Sequence, residues 1–539
     1  MKQALFILIF CLPNVLNGQT WDWAKSSGSS NVDKGNGIAI DRSGNIYVTG
    51  DFRSSTITFG STILTNAGLE DIFIVKYDPA GNVIWAKSVG GTNKEICNSI
   101  ITDSIGNIYL TGYFASSSIS FGTTQLNNIL LRDLFIAKLD ENGNEIWAKS
   151  IGGANNEEGN DLAMDGAGNI YVTGTYIGIA TFGTTTLTSV GNIDIFTVKH
   201  DISGNVVWAK SAGGIGDDYS TNIDSDENGT TYLTGYYASP TMTFGTTILT
   251  NSGVTNIFTG KYDQNGNAIW AKSIGGTIAD SGASIVLDGN NNFYLTGNFS
   301  SPVINFGPIT LTNGGMGISP YDIYVAKLDS SGNVLWAKSA GGQGLEGARA
   351  IAIDNYGNAY ITGSFTCPVI NFGTSSLTNS GGADLFVTKV DSSGNFLFSK
   401  SATGSTFDAG FNIAVDSIGN VCIVGYYQSS SLTFGSTTIS NSGDVDLFVA
   451  KLSFATGLND VSSNENLIAF PNPSNGSFYL DHRSDKYVVS VYNVLGELIS
   501  ETETSGFRTF FNLDVPKGLY ILTARSANDL ANFKIIIDK

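Results

Sequence analysis

Histidine is nearly missing from this chain: His200 and His482 are the only two among 539 residues. Metal sites and general-base chemistry that depend on imidazole are therefore almost excluded. Cysteine is scarce as well, with four residues, of which Cys11 lies in an N-terminal apolar stretch. The other three, Cys97, Cys367 and Cys422, are an odd set that implies no disulfide framework, so the fold must hold by packing. Beyond residue 18 no apolar run approaches the ~20 residues of a transmembrane helix, so no span is expected in a mature chain. Cations are outnumbered, with 28 Lys and Arg against 47 Asp and Glu and a formal net charge of −19. That balance opposes binding to nucleic acid or anionic membrane.

What the chain does have is 65 glycines against ten prolines, with Tyr, Phe, Thr, Ile and Val in short runs between Gly, Asn, Asp and Ser clusters. This is an all-β signature. Residues 1–18 read as a secretory signal peptide: Lys2 supplies the charge, "ALFILIFCL" the apolar run, and "NG" before Gln19 a small-residue exit. The mature chain is then exported.

Internal repetition decides the fold. The Trp of "WAKS" recurs at Trp23, Trp85, Trp147, Trp208, Trp270 and Trp336, with Phe398 of "FSKS" as the seventh, at spacings of 62, 62, 61, 62, 66 and 62 residues. Each copy resolves into four strands, A to D. In the first, "GIAID" leads through "RSGN" into "IYVTGDF", and "DIFIVKYD" leads through "PAGN" into "VIWAKS". Both tight turns have the form Asp-x-x-Gly-Asn, where Gly supplies positive φ and Asp bonds its own turn. Four strands repeated seven times predict a seven-bladed β-propeller over 19–453. The last copy lacks its D strand, and the fragment "WDWAKS" at Trp21–Ser26 supplies it, so the N-terminal strand closes the ring.

The repeat resembles the SBBP-type β-propeller repeat of secreted bacterial proteins, carried by "IAVDSIGNV", "YVTG" and "DLFVTKVDSSGN". After a polar linker at 454–466, the segment 467–539 shows alternating apolar runs that suggest a small Ig-like β-sandwich. It resembles the C-terminal sorting domain of Bacteroidota type IX secretion cargo at Pro471, Asn472 and Pro473, at Tyr492, Asn493 and Gly496, and at Gly518, Leu519 and Tyr520. The resemblance implies the type IX machinery as partner, a cleavable export tail, and a secreted or outer-surface location.

Because strands alternate direction, the A–B and C–D turns share one face and the longer D–A and B–C connections the other. The B–C connection contains "TITFGSTILTN", an extra small hairpin. A ligand surface is expected on this long-loop face near the axis. Ten residues after each anchor stands a carboxylate: Asp33, Glu95, Glu157, Asp218, Asp280, Glu346 and Asp408. These are expected to ring the channel mouth, where oxygen ligands could gather Ca²⁺ or a cationic ligand. The plainer reading, and the favoured one, is that each caps backbone N–H groups of its own loop. No other cofactor is implied. Asp41 and its six equivalents are expected to cap turns, and the "WAKS" Trp to pack between repeats. His200 fills a position held elsewhere by Tyr77 or Leu139, so no catalytic residue is assigned. The expected function is a non-enzymatic binding or adhesion scaffold for an unidentified extracellular protein or glycan. The alternatives are a carbohydrate-active enzyme using long-loop carboxylates, and a purely structural surface component.

Overall fold

The computed structural model describes residues 19–537 apart from 316–319, 417–418, 455–466, 471–473, 475, 483–486, 494–496, 505–507 and 526–529. The signal peptide at 1–18, Pro471–Pro473, Gly496 and nearly all of the expected linker lie outside the described residues. The chain divides into two units, Trp21–Leu452 and a second formed by 453–539 with the first twenty residues.

In the large unit each repeat forms an antiparallel sheet in the order A-B-C-D. The first runs Asp33–Ile40, Ile46–Phe52, Asp71–Tyr77 and Val83–Val89. In the seventh, Asp408–Val415, Val421–Tyr427 and Asp446–Phe454 take Gln19–Ser27 as their outer strand. The A strands neighbour one another in chain order, and the seventh returns to the first. B and C strands are apolar on both faces because each sheet is covered on both sides by its neighbours, so the core is a series of inter-repeat clusters. One cluster joins Ile46 and Val48 of the first repeat to Val424, Leu447 and Val449 of the last.

Local chemistry explains the repeat's landmarks. Asp41 Oδ1 accepts from Ser43 N and Asn45 N, and Oδ2 accepts from Asn45 Nδ2, closing a turn in which Gly44 has φ +80°. The "WAKS" indoles lie across C–D turns of the next repeat: Trp85 Nε1 donates to Glu141 O, and its ring fills the space where a Cβ on Gly143 would stand. Gly143 has φ +71°, so both its backbone and the indole demand glycine. The predicted hairpin is Thr56–Phe59 with Thr62–Thr65 and recurs in every repeat. In the fourth repeat it pairs with the preceding D strand, Ala212 to Phe244, so a hairpin shields an outer edge. Cys97, Cys367 and Cys422 are free and buried.

The small unit holds two antiparallel sheets. One has Leu467–Phe470, Ser477–His482 and Arg508–Asn512; the other runs in the order Leu498–Glu503, Val488–Asn493, Gly518–Arg525 and Leu530–Ile537. Phe478, Leu480 and Phe511 from the first share an apolar cluster with Val489, Val491, Leu522 and Ile535 from the second. Among the described residues no helix is long and apolar enough to cross a membrane.

Candidate functional site

The seven carboxylates are buried, at no more than 1% exposure. They point into their own loops. Asp33 Oδ1 accepts from Arg53 N and Ser54 N, while Oδ2 accepts from Ser29 N and Ser54 Oγ. Asp218, Asp280 and Asp408 repeat the serine contact through Ser239, Ser301 and Ser429. Glu95, Glu157 and Glu346 accept from Gly91 N, Gly153 N and Gly342 N, as Asp218 and Asp280 do from Gly214 N and Gly276 N. Each therefore ties the D–A loop to the next strand pair. The expectation of a ring at the channel mouth is corrected: loop N–H donors outcompete an outward orientation, and none of the seven lines the central cavity. Among the described residues no cluster of three or more His, Cys, Asp or Glu is placed to hold a metal ion.

A stability test follows for this layer. Changing Asp218 to Ala strands Gly214 N, Ser239 N and Ser239 Oγ in the interior, at about 1–3 kcal/mol for each buried donor left without a partner. The expected result is a melting temperature several degrees lower and no change in any variant on adding Ca²⁺ or a chelator. A Ca²⁺-dependent rise in the wild type that vanishes when Glu95, Glu157 and Glu346 become Gln would restore the cation reading.

The central cavity has a volume of about 760 Å³. It opens on the long-loop side, since Lys34 follows a D–A loop and Arg53 directly follows a B strand. Its lining was hidden by a register detail: every A strand carries a β-bulge three residues after the carboxylate, for example between Gly35 and Gly37, Cys97 and Ser99, or Gly410 and Asn412. A bulge re-aims one side chain. The bulged residues are Asn36, Asn98, Asn160, Thr221, Ala283, Arg349 and Phe411; all seven line the cavity, and all but Ala283 and Phe411 are polar or charged. The sequence did not single this position out, because the residue after it varies as widely among the repeats: Gly37, Ser99, Asp161, Asn222, Ser284, Ala350 and Asn412.

Four bulged side chains bridge to the next repeat. Asn36 Nδ2 donates to Cys97 O, Asn98 Nδ2 to Gly159 O, Asn160 Nδ2 to Ser220 O, and Thr221 Oγ1 to Gly282 O. One residue deeper, Ser99 Oγ and Asn222 Nδ2 both donate to Asp161, and Ser284 Oγ donates to Asn222 Oδ1. Burial pushes Asp161 up to about 7 against these donors, and Asp51 and Asp224 to about 6. At the rim, Glu70 is held by Arg53 and by Lys94 at 2.8 Å, Arg132 pairs with Glu158, and Tyr219 stacks on Tyr236 at 5.0 Å.

His200 is fully buried, and neither ring nitrogen has a hydrogen-bond partner among the described residues. Burial lowers it to about 4, so it stays neutral in the core. In the small unit, Asn493 accepts from Glu497 N and its Nδ2 donates to Glu497 Oε2, closing the turn after Tyr492. Tyr520 is buried, with its hydroxyl on Pro516 O, and follows Gly518 at the start of a strand.

Comparison with known proteins agrees with both halves of this architecture. Residues 468–538 match the secretion system C-terminal sorting domain, and residues 26–51 match the SBBP β-propeller repeat. An uncharacterized WD repeat-containing protein of Acanthamoeba polyphaga mimivirus is 26% identical, over 80% of this chain and 38% of its own length. The regulatory protein FlaEY of Caulobacter vibrioides is 23% identical, over 74% of this chain and 44% of its own. The chain thus spans less than half the length of these curated relatives. Among solved structures, PorZ, a surface component of the type IX secretion system of Porphyromonas gingivalis, is 11% identical with a TM-score of 0.26, covering 95% of this chain and 75% of that one. The chain carries propeller-like repeats and a type IX sorting domain, which places it outside the cell or on its outer surface.

Proposed function

We propose that the chain is a seven-bladed β-propeller, closed by its N-terminal strand and followed by an Ig-like sorting module, which serves as a non-enzymatic binding or adhesion scaffold. Its ligand, a glycan or an extracellular protein, seats in the central cavity on the long-loop side. The observation that carries this reading is the bulge: seven A strands each turn one side chain toward the cavity, and those side chains differ while the scaffold repeats. Unlike side chains at an inward-aimed position are what selectivity for a ligand requires. A glycan and protein array run beside a hydrolase panel on the purified chain tests it, with binding and no turnover expected. Loss of that binding on changing Asn98 or Asn160 to Leu would place it in the cavity.

A carbohydrate-active enzyme is the second reading, and Asp161 favours it: a cavity-lining carboxyl titrating near 7 suits a general acid. The oxygens of Asp161 already accept from Ser99, Asn222 and Ile223 N, which favours the scaffold. Turnover of any glycan that disappears in Asp161→Asn would overturn the non-enzymatic reading.

The sorting role has its own expected outcome. Removing 467–539 leaves the repeats folded, because they form a unit with core clusters of its own, but retained in the periplasm of a host with type IX secretion. Protease shaving of whole cells checks this, and normal surface levels of the truncated chain would refute it.

A further inference from the structure

Among the described residues three of the seven bulge positions form no side-chain bridge to the next repeat, and they are consecutive: Ala283, Arg349 and Phe411. The cavity wall therefore has two unlike arcs. Over the first four repeats the bulged Asn and Thr side chains are spent on holding neighbours together. Over the last three the same position is small, cationic and aromatic in turn, and free to face a ligand.

The chemistry of that second arc is specific. The Arg349 guanidinium lies 5.2 Å from the centre of the Phe411 ring, and Arg349 is exposed. Among the described residues it forms no ion pair, although Arg53 and Arg132 on the opposite arc each hold a glutamate. Phe411 packs on Tyr426 at 5.1 Å, Phe407 stacks on the same ring at 6.0 Å and 19°, and Lys34 Nζ stands 5.4 Å from its centre. The result is an aromatic platform with a cation at each side. A guanidinium without an ion-pair partner keeps its planar fork for a ligand, and that fork matches a carboxylate through two parallel hydrogen bonds. Aromatic faces take the C–H faces of a sugar ring. The cavity also holds acids, but Glu70 and Glu158 are paired with Arg53, Lys94 and Arg132, and Asp51 accepts from Asn36, so Arg349 keeps its charge for an incoming anion, while charges beyond ~8 Å are screened at physiological salt.

We propose that this arc, Arg349 and Phe411 with Lys34 and Tyr426, binds a carboxylate-bearing saccharide, the acid group on the Arg349 fork and a ring face against Phe411. The proposal rests on the reading of the cavity as a binding site and names the ligand class for it.

The test uses the purified chain and three probes: an oligogalacturonate, the same oligosaccharide with its carboxyls reduced to alcohols, and dextran sulfate. Titration calorimetry is expected to show the acidic oligomer binding at least about tenfold more tightly than its reduced form, the size of one lost charge-assisted hydrogen-bond pair. Arg349→Gln is expected to erase that difference without changing the affinity for the reduced form, and Phe411→Leu to weaken both. Equal binding of the acidic and reduced oligomers, no effect of Arg349→Gln, tighter binding of dextran sulfate, or no binding of the oligouronate would each overturn the proposal. The scaffold reading is judged apart from it, by the wider array. Unchanged melting temperatures confirm that the two variants fold.

Discussion

Deleting Trp21–Ser27 lowers the melting temperature of the repeats by at least about 5 °C and makes the chain aggregate. This nine-residue strand, Gln19–Ser27, is the outer strand of the last sheet. Trp23 is 9% exposed in the cluster that joins the first and last repeats, and its Nε1 donates to Pro79 O. Trp21 meets Phe434 edge-on at 4.8 Å, Ala24 is buried, and Ser26 Oγ lies 2.7 Å from Tyr427 OH. Truncating one buried Trp costs about 3–5 kcal/mol, and the deletion adds the loss of a ladder and an exposed seam. For a domain of this size roughly 1 kcal/mol moves the melting temperature by about 1–2 °C, since the unfolding entropy scales with length. Differential scanning calorimetry of the truncated and full-length chains decides it, and a difference under about 2 °C would refute the closure.

Acidification from pH 8 to pH 5 stabilises the protein by several kcal/mol, an unusual direction for so acidic a chain. The cause is a second layer of acids at the start of the C strands: Asp71, Asp133, Asp194, Asp322, Asp384 and Asp446. All are buried, and each has one oxygen with no hydrogen-bond partner among the described residues. Burial pushes Asp133, Asp194 and Asp446 up to about 6 and raises the other three. A neighbouring anion adds to burial in two of them, Asp218 beside Asp194 and Asp33 beside Asp446.

A carboxyl whose folded value lies above its unfolded one, near 4, stabilises fully below pH 4, and that stability is lost as pH rises through the folded value, here about 6. At about 1.4 kcal/mol per pH unit, going from pH 8 to pH 5 protonates each of Asp133, Asp194 and Asp446 over about one unit below its folded value, together on the order of 4 kcal/mol. The exposed turn acids Asp78, Asp140 and Asp201 are held below the usual range by their own loop donors and act oppositely below pH 4, so the optimum falls near pH 4–5. The fourth repeat supplies the control, with Asn256 where the others have Asp. Asp133→Asn is therefore expected to leave the stability at pH 5 nearly unchanged, raise it at pH 8, and flatten the profile by one group. Thermal melts between pH 4 and 8 check both, and a stability that rises with pH over this range would refute the protonated layer.

The sequence alone determined the strands and the site's general position. Period-2 runs bounded by Asp-x-x-Gly-Asn are local chemistry: the turn acid bonds to residues two and four positions away, so no distant contact is needed to see it. The missing D strand was legible for a similar reason, since a count of seven A, B and C strands against six complete endings leaves only Trp21–Ser26 to fill the place. Antiparallel pairing then fixed which connections share a face. What tertiary structure decided was the aim of individual side chains. The invariant carboxylates drew attention because they repeat, yet repetition marked scaffold: Asp33 and its equivalents turn inward because buried loop N–H groups need acceptors. The cavity faces of Asn36, Arg349 and Phe411 depend on one extra residue per A strand, and a one-residue bulge changes no hydrophobic pattern while reversing where every later side chain points. The orphaned oxygens of the second acid layer were equally hidden, because they are covered by the D–A loop some twenty residues on, Gly90 against Asp71 and Gly152 against Asp133, which no local pattern records.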